Sequence, residues 1–189
     1  RAAWETVLMF CYPVFLSKLI YLLRNPRDVL VSGYFFWTIS NLAKKPESLE
    51  QYLDWFIRGN VAFGSWFDHT RGWLSMREKE NFLMLSYEEL KRDTRNAVQK
   101  LCQFLGKKLE PDELNSLLEH SSFQVMKENK MSNYTLMPSH ILDHKSGSFM
   151  RKGISGDWKT YFTVAQAEVF DKVFEEKMAD LPQELFPWK

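Results

Sequence analysis

The stretch Lys18–Ser32, KLIYLLRNPRDVLVS, constrains this chain more than any other. Its apolar run Leu19-Ile20-Tyr21-Leu22-Leu23 stops at Arg24, and Asn25-Pro26 opens a helical pattern. Five apolar residues, one of them aromatic, predict a buried central strand. Asn25 suits an N-cap, Pro26 the first helical position and Asp28 the first turn. A buried strand that hands an arginine to a helix start can hold a phosphate. The guanidinium forks onto two oxygens while free backbone N–H groups and the helix dipole favour negative charge. An arginine paired with a carboxylate at a strand end fits the same spacing, so both readings stand at this point.

The 189 residues suit one domain or a large piece of one, and 45% hydrophobic with 15% aromatic residues supports a sizeable core. The aromatic richness also fits a protein that encloses flat apolar ligands, although most such rings pack in cores. Charge is balanced at 25 basic against 24 acidic residues, so a positive site must be local and no nucleic acid is expected as a partner. Cys11 and Cys102 show no metal or redox spacing, which predicts a reducing, cytoplasmic setting. His140 and His144 stand at i, i+4, but Pro138, Ser139 and Gly147 around them predict a loop, and no metal site is expected. The apolar stretch Thr6–Leu16 is broken by Pro13 and is shorter than the roughly 20 residues that span a bilayer, so no membrane role follows. The chain starts at Arg1 rather than Met, which predicts a fragment or an undisclosed start.

Further along, Pro26–Ser40 and Glu47–Asn60 read as helices, the second with Leu49, Tyr52, Leu53, Phe56 and Ile57 on one face. Gly64–Glu80 reads as a helix piece plus loop, and Asn81–Leu85 as a second short buried strand. One long helix is expected from Ser86 to Leu105, with Leu90, Ala97, Val98, Leu101 and Leu105 inward and Gly106 as its stop. Pro111–Glu119 is a short helix, and Ser121-Ser122 caps the next. Lys130–Asp157 is irregular, and Thr163–Gln166 is a capping box opening a last helix with Phe170, Val173, Phe174 and Met178 inward. Alternating strands and helices predict an α/β fold with a parallel sheet.

Four stretches together resemble the cytosolic sulfotransferases, which use 3′-phosphoadenosine 5′-phosphosulfate (PAPS). They are Arg24–Asp28 with Ser32; Leu85–Leu90; Ser121–Gln124 with Met126 and Asn129-Lys130; and Arg151–Lys159 running into Phe162-Thr163. The segments GYFFW, GSWFDH, MKENKMSNY and MADLPQELFPW carry a closer resemblance to the hydroxysteroid, or alcohol, branch. The resemblance implies a P-loop-NTPase-like sulfotransferase fold, a central parallel sheet flanked by helices, here incomplete. It covers residues 18–189 as the C-terminal two-thirds of a single domain, with residues 1–17 an atypical N-terminal segment.

By that resemblance, Arg24 and Ser32 would bind the 3′-phosphate, and Arg151, Lys152 and Gly153 would return to it from a loop. Tyr87, Ser121, Phe123 and Met126 would flank the adenine. Phe36, Trp37 and Tyr134 lie in stretches that line the acceptor pocket of relatives, whereas 136–148 departs from them. Lys159, Thr163, Val164 and Glu168 match the family's dimerisation segment, implying a homodimer. PAPS is the implied co-substrate, without a metal, and the implied reaction moves a sulfuryl group to the hydroxyl of a steroid, bile-acid-like or other alcohol. The family's phosphosulfate motif, of the type Tyr-Pro-Lys-Ser-Gly-Thr-Thr-Trp, is not among these residues. No histidine precedes His69 to act as the base, so no catalytic residue is assigned. General-base catalysis contributes on the order of 10²–10⁴-fold, so this chain alone is expected to be nearly inactive. The alternative is a non-catalytic isoform that serves as a dimerisation partner.

Overall fold

The computed structural model describes residues 17–188. Cys11 and the apolar Thr6–Leu16 stretch lie outside the described residues, as does all of the atypical segment except Ser17. Strand β1 (Leu19–Leu23) pairs in parallel with β2 (Phe82–Ser86), in a register that sets Leu19 against Phe82 and Leu23 against Ser86. Between them run α1 (Pro26–Ile39), α2 (Leu49–Arg58) and α3 (Trp66–Leu74). After β2 come α4 (Tyr87–Arg92), α5 (Thr94–Leu105), α6 (Pro111–His120) and α7 (Phe123–Glu128). A long irregular segment leads to a short 3-10 turn at Asp157–Thr160 and then α8 (Val164–Met178).

Local chemistry starts these helices where the residues predict. The Asn25 side chain accepts the Arg27 N–H at 3.0 Å, Ser48 caps α2 through Gln51, and Thr163 and Gln166 complete the capping box of α8. Three expectations need correction. The single helix 86–105 is broken at Asp93, whose side chain leaves the helical pattern to accept the Asn96 N–H at 3.0 Å and start α5 afresh. Leu105, expected inside, is 43% exposed at the end of α5. Strand β1 is not buried on both faces: Ile20 and Leu22 are 46% and 48% exposed, because the described helices cover only the face that carries Leu23.

The core lies between that covered face and α1, α2, α3 and α8. Phe67, Phe170, Phe174, Leu74 and Met178 are fully enclosed there, and Phe174 meets Phe186 edge-on at 5.2 Å. The irregular segment is anchored rather than loose. Ser40 and Leu142 form an antiparallel bridge, and the Asp143 N–H reaches the Ile39 carbonyl at 2.8 Å.

One contact spans nearly the whole chain. The Asp28 carboxylate, 1% exposed in the first turn of α1, accepts the Gly156 N–H at 2.6 Å and the Trp158 N–H at 2.9 Å. Arg27 beside it pairs with Asp171 on α8 and lies against the rings of Trp158 and Phe170. Together the two neighbours tie the start of α1 to the segment before α8. Replacing Asp28 by Asn keeps one acceptor but turns an N–H group toward a backbone donor. Hydrogen bonds to charged groups contribute about 1.5–3 kcal/mol, so Asp28→Asn is expected to lose roughly that stability in urea denaturation. An unchanged midpoint would mean the carboxylate does not hold this segment.

Candidate nucleotide and acceptor site

The β1–α1 junction, the Ser148–Arg151 stretch and α2–α3 enclose a cavity of about 530 Å³. Arg24, Ser32 and Arg151 line it together with rings that include Phe36, Trp37 and Trp66. Among the described residues, no acidic one lines it. A lining of cations and hydroxyls among aromatic rings suits a ligand pair in which one member is anionic and the other apolar.

The position of Arg24 fits two readings, a phosphate site and a carboxylate pair. Among the described residues no carboxylate oxygen comes within ion-pair distance of it. The guanidinium instead lies over the Tyr87 ring at 4.3 Å, with its Nε buried and unpartnered. Tyr87, the first residue after β2, therefore shelves the arginine, and burial raises the Tyr87 phenol while Arg24 works against the rise. Glu88 is close but turned away: its Oε1 accepts the Asn25 N–H at 3.0 Å, its Oε2 is buried without a partner, and burial pushes its carboxyl up. A buried guanidinium nitrogen with no acceptor is the arrangement a phosphate oxygen would complete.

Arg151 and Lys152 approach from the other side, and both are already held. Asp157, 5% exposed, accepts Arg151 Nη2 at 2.6 Å and Lys152 Nζ at 2.7 Å, and the Tyr161 hydroxyl meets both cations at 3.2 and 3.1 Å. Burial works to raise the Asp157 carboxyl, but Lys152 and Arg151 outweigh it and hold the group below its usual range. Arg151 also lies 4.6 Å over the Phe35 ring of α1. Gly153 has φ +65, and a Cβ there would fall 2.2 Å from the Phe123 ring, so this close approach is open only to glycine.

The remaining expected residues divide. Phe123 packs beside Gly153, with Lys91 and Lys127 each 5.9 Å from its ring, outside the cavity lining. The Ser121 hydroxyl donates back to the Leu118 carbonyl at 3.3 Å, and the Met126 carbonyl accepts from Ser132. Phe36 and Trp37 line the cavity, but Tyr134 does not: it is half exposed, at φ +63, its ring tilted 35° and 4.2 Å from that of Phe149, which does line it. Lys159, Thr163, Val164 and Glu168 are all exposed, Val164 by 76%.

Two residues of the cavity wall carry chemistry that sequence reasoning did not single out. Tyr52 of α2 sits so close to α1 that a Cβ on Gly33 would meet its hydroxyl at 2.5 Å, and burial pushes its phenol up to about 12 despite a hydrogen bond from Trp37. His69 of α3 also faces the cavity. The Trp73 indole N–H donates to His69 Nε2 at 3.0 Å, so its other nitrogen, 3.4 Å from the Tyr21 hydroxyl, carries the proton in the neutral ring. Burial pulls the His69 pKa down, keeping that ring neutral, and both nitrogens are engaged. The signal for His69 was its place one turn before Trp73, which a periodicity reading assigns to packing.

Comparison with known proteins follows this geometry. The family described as sulfotransferase domain matches residues 15–182. The chain is 65% identical to Sulfotransferase 2A1 of Macaca fascicularis over 173 residues, 92% of this chain and 60% of that protein. It is 61% identical to the 3-beta-hydroxysteroid sulfotransferase of Cavia porcellus over 173 residues, with the same two shares. The chain thus spans about 60% of the length of the curated relatives it matches. Among solved structures, mouse sulfotransferase SULT7A1 complexed with PAP superposes with TM-score 0.77 at 33% identity, covering 87% of this chain and 59% of that one. Retinol dehydratase in complex with androsterone and inactive cofactor PAP gives TM-score 0.80 at 30% identity, covering 86% of this chain and 48% of that one. The α/β sulfotransferase fold implied by the four motifs is therefore the fold observed.

Proposed function

Given that the chain belongs to the sulfotransferase family, we propose that it is the nucleotide- and acceptor-binding portion of a PAPS-dependent sulfotransferase acting on a steroid, bile-acid-like or other alcohol hydroxyl. The observation that carries this reading is Arg24, its buried Nε without a partner among the described residues, lining with Ser32 and Arg151 a largely aromatic cavity. Its orphaned Nε fits a phosphate oxygen, and the curated relatives named above include a hydroxysteroid sulfotransferase.

In this account Arg24, Ser32 and Arg151 hold the 3′-phosphate of the nucleotide, with Lys152 adding charge from the rim. Tyr87 keeps Arg24 flat, Gly153 lets the backbone close on Phe123, and Ser121, Phe123 and Met126 bound the adenine. PAPS, when bound, supplies an activated sulfuryl group on a phosphate leaving group. The rings of Phe36 and Trp37, with Tyr134 behind Phe149, exclude water from a rigid apolar alcohol and aim its hydroxyl toward the cations. No described residue is assigned as the base, since both nitrogens of His69 are already committed. The chain on its own therefore binds both ligands but turns over slowly. A cytoplasmic setting suits the free Cys102 thiol, and no helix among the described residues is long and apolar enough to cross a membrane.

Calorimetry with adenosine 3′,5′-bisphosphate tests the nucleotide half. Arg24→Ala removes a charged fork worth about 1.5–3 kcal/mol, so its Kd is expected to rise roughly tenfold to a hundredfold. Equal affinity in the two proteins contradicts the assignment.

A second reading is favoured by the bare apolar Val164 flanked by exposed Lys159 and Glu168. Across a two-fold axis the lysine of one copy can meet the glutamate of the other. On this reading the chain forms homodimers, or acts as a non-catalytic partner of a longer subunit, through Lys159, Thr163, Val164 and Glu168. Sedimentation is expected to show dimers that dissociate in Val164→Glu; a monomeric unaltered chain argues against it.

A further inference from the structure

Arg151 and Lys152 carry like charges on consecutive residues, so bringing both to one anion needs groups that hold them together. Asp157 does part of this. Its Oδ2 accepts from Arg151 Nη2 at 2.6 Å and its Oδ1 from Lys152 Nζ at 2.7 Å, one cation to each oxygen. Tyr161 does something different. Its single hydroxyl oxygen accepts from Arg151 Nη1 at 3.2 Å and from Lys152 Nζ at 3.1 Å. Carboxylate, guanidinium, phenol and ammonium thus close a ring of four contacts. Among the described residues, Asp157 and Tyr161 are the only acceptors that the two cations share.

Backbone and packing set where the phenol stands. The Trp158 N–H is held by Asp28, and the Trp158 carbonyl accepts the Tyr161 N–H at 3.0 Å where the 3-10 turn ends. The Tyr161 ring meets Phe35 edge-on at 5.1 Å, and Phe35 lines the cavity three residues after Ser32 on α1. Phe162 packs instead on Phe170, with the rings 6.0 Å apart. The Lys152 side chain is 39% exposed against 24% for Arg151, so water competes most for the ammonium. Asp157 and then Tyr161 hold that ammonium and raise its pKa.

We propose that Tyr161 is a positioning residue of the nucleotide site: by accepting from both cations at once, its hydroxyl draws Lys152 in beside Arg151, so that the pair rather than Arg151 alone meets the 3′-phosphate. This inference rests on the nucleotide reading above. It gives Lys152 a defined place in the site and makes that place depend on one phenolic oxygen.

The test is a double-mutant cycle on the Kd of adenosine 3′,5′-bisphosphate, measured by calorimetry on the full chain with Tyr161→Phe, Lys152→Met and both. Tyr161→Phe keeps the ring against Phe35 and every charge. Each single change is expected to raise Kd about fivefold, within the range one hydrogen bond contributes. The double variant is expected to lose under about tenfold, well short of the product, because the two groups act through one contact. Losses that multiply, or a Tyr161→Phe Kd equal to that of the unaltered chain while Arg24→Ala weakens binding, overturn the positioning role and spare the nucleotide reading. An unaltered chain that does not bind the nucleotide overturns that reading and the role of Tyr161 with it.

Discussion

The contact on which the site depends is the pair of hydrogen bonds from the backbone of Gly156 and Trp158 to the buried Asp28 carboxylate. Asp28 sits four residues after Arg24, in the first turn of the helix that strand β1 feeds. Its two acceptors fix where the irregular segment 130–157 must end, and so where Arg151 and Lys152 arrive. A buried carboxylate is costly unless satisfied, and this one is satisfied by donors more than a hundred residues away in sequence. The burial of Asp28 therefore acts as a specificity constraint on the loop: other placements of 151–158 leave the charge without partners.

The cations thus gathered repel one another, and the fold deals with that in two ways. Arg27 is removed from the cavity altogether, paired with Asp171 and lying against Trp158 and Phe170. Arg151 and Lys152 share Asp157, which Tyr161 supports through its hydroxyl contacts to both. Arg24 makes no ion pair among the described residues: it has the Tyr87 ring as support and, like Arg27, a buried Nε without a partner there. An incoming dianion would find one uncommitted arginine and two cations positioned by a carboxylate. This is preorganisation of charge, achieved in a chain whose overall balance is nearly neutral at +1.

Much of this was legible in the residues because it is local. The strand-to-helix passage at Leu19–Asp28, the Thr163–Gln166 box and the turn at Gly106 follow from caps and periodicity, which act within a few residues. The break at Asp93 was missed because an aspartate inside an apolar pattern reads as an exposed helix position, while its side chain competes for the backbone. The half-exposed face of Ile20 and Leu22 was missed because an apolar run implies burial on both sides. Arg24 and Arg27 are the same residue type in the same motif, and only the turn of α1 sends one to the cavity and the other to α8. Tyr134, expected at the acceptor pocket, lies behind Phe149, to which the sequence reading assigned no role, since the cavity wall is set by how an irregular segment docks.

The central claim is that the β1–α1 junction and the 151–158 segment meet to form one dianion site. A crystal structure of the chain with adenosine 3′,5′-bisphosphate bound tests it most directly. The account predicts the 3′-phosphate between the Arg24 guanidinium and Arg151, within hydrogen-bond distance of the Ser32 hydroxyl, and Asp28 still holding Gly156 and Trp158. A nucleotide bound elsewhere, with Arg24 turned onto Glu88, would contradict it.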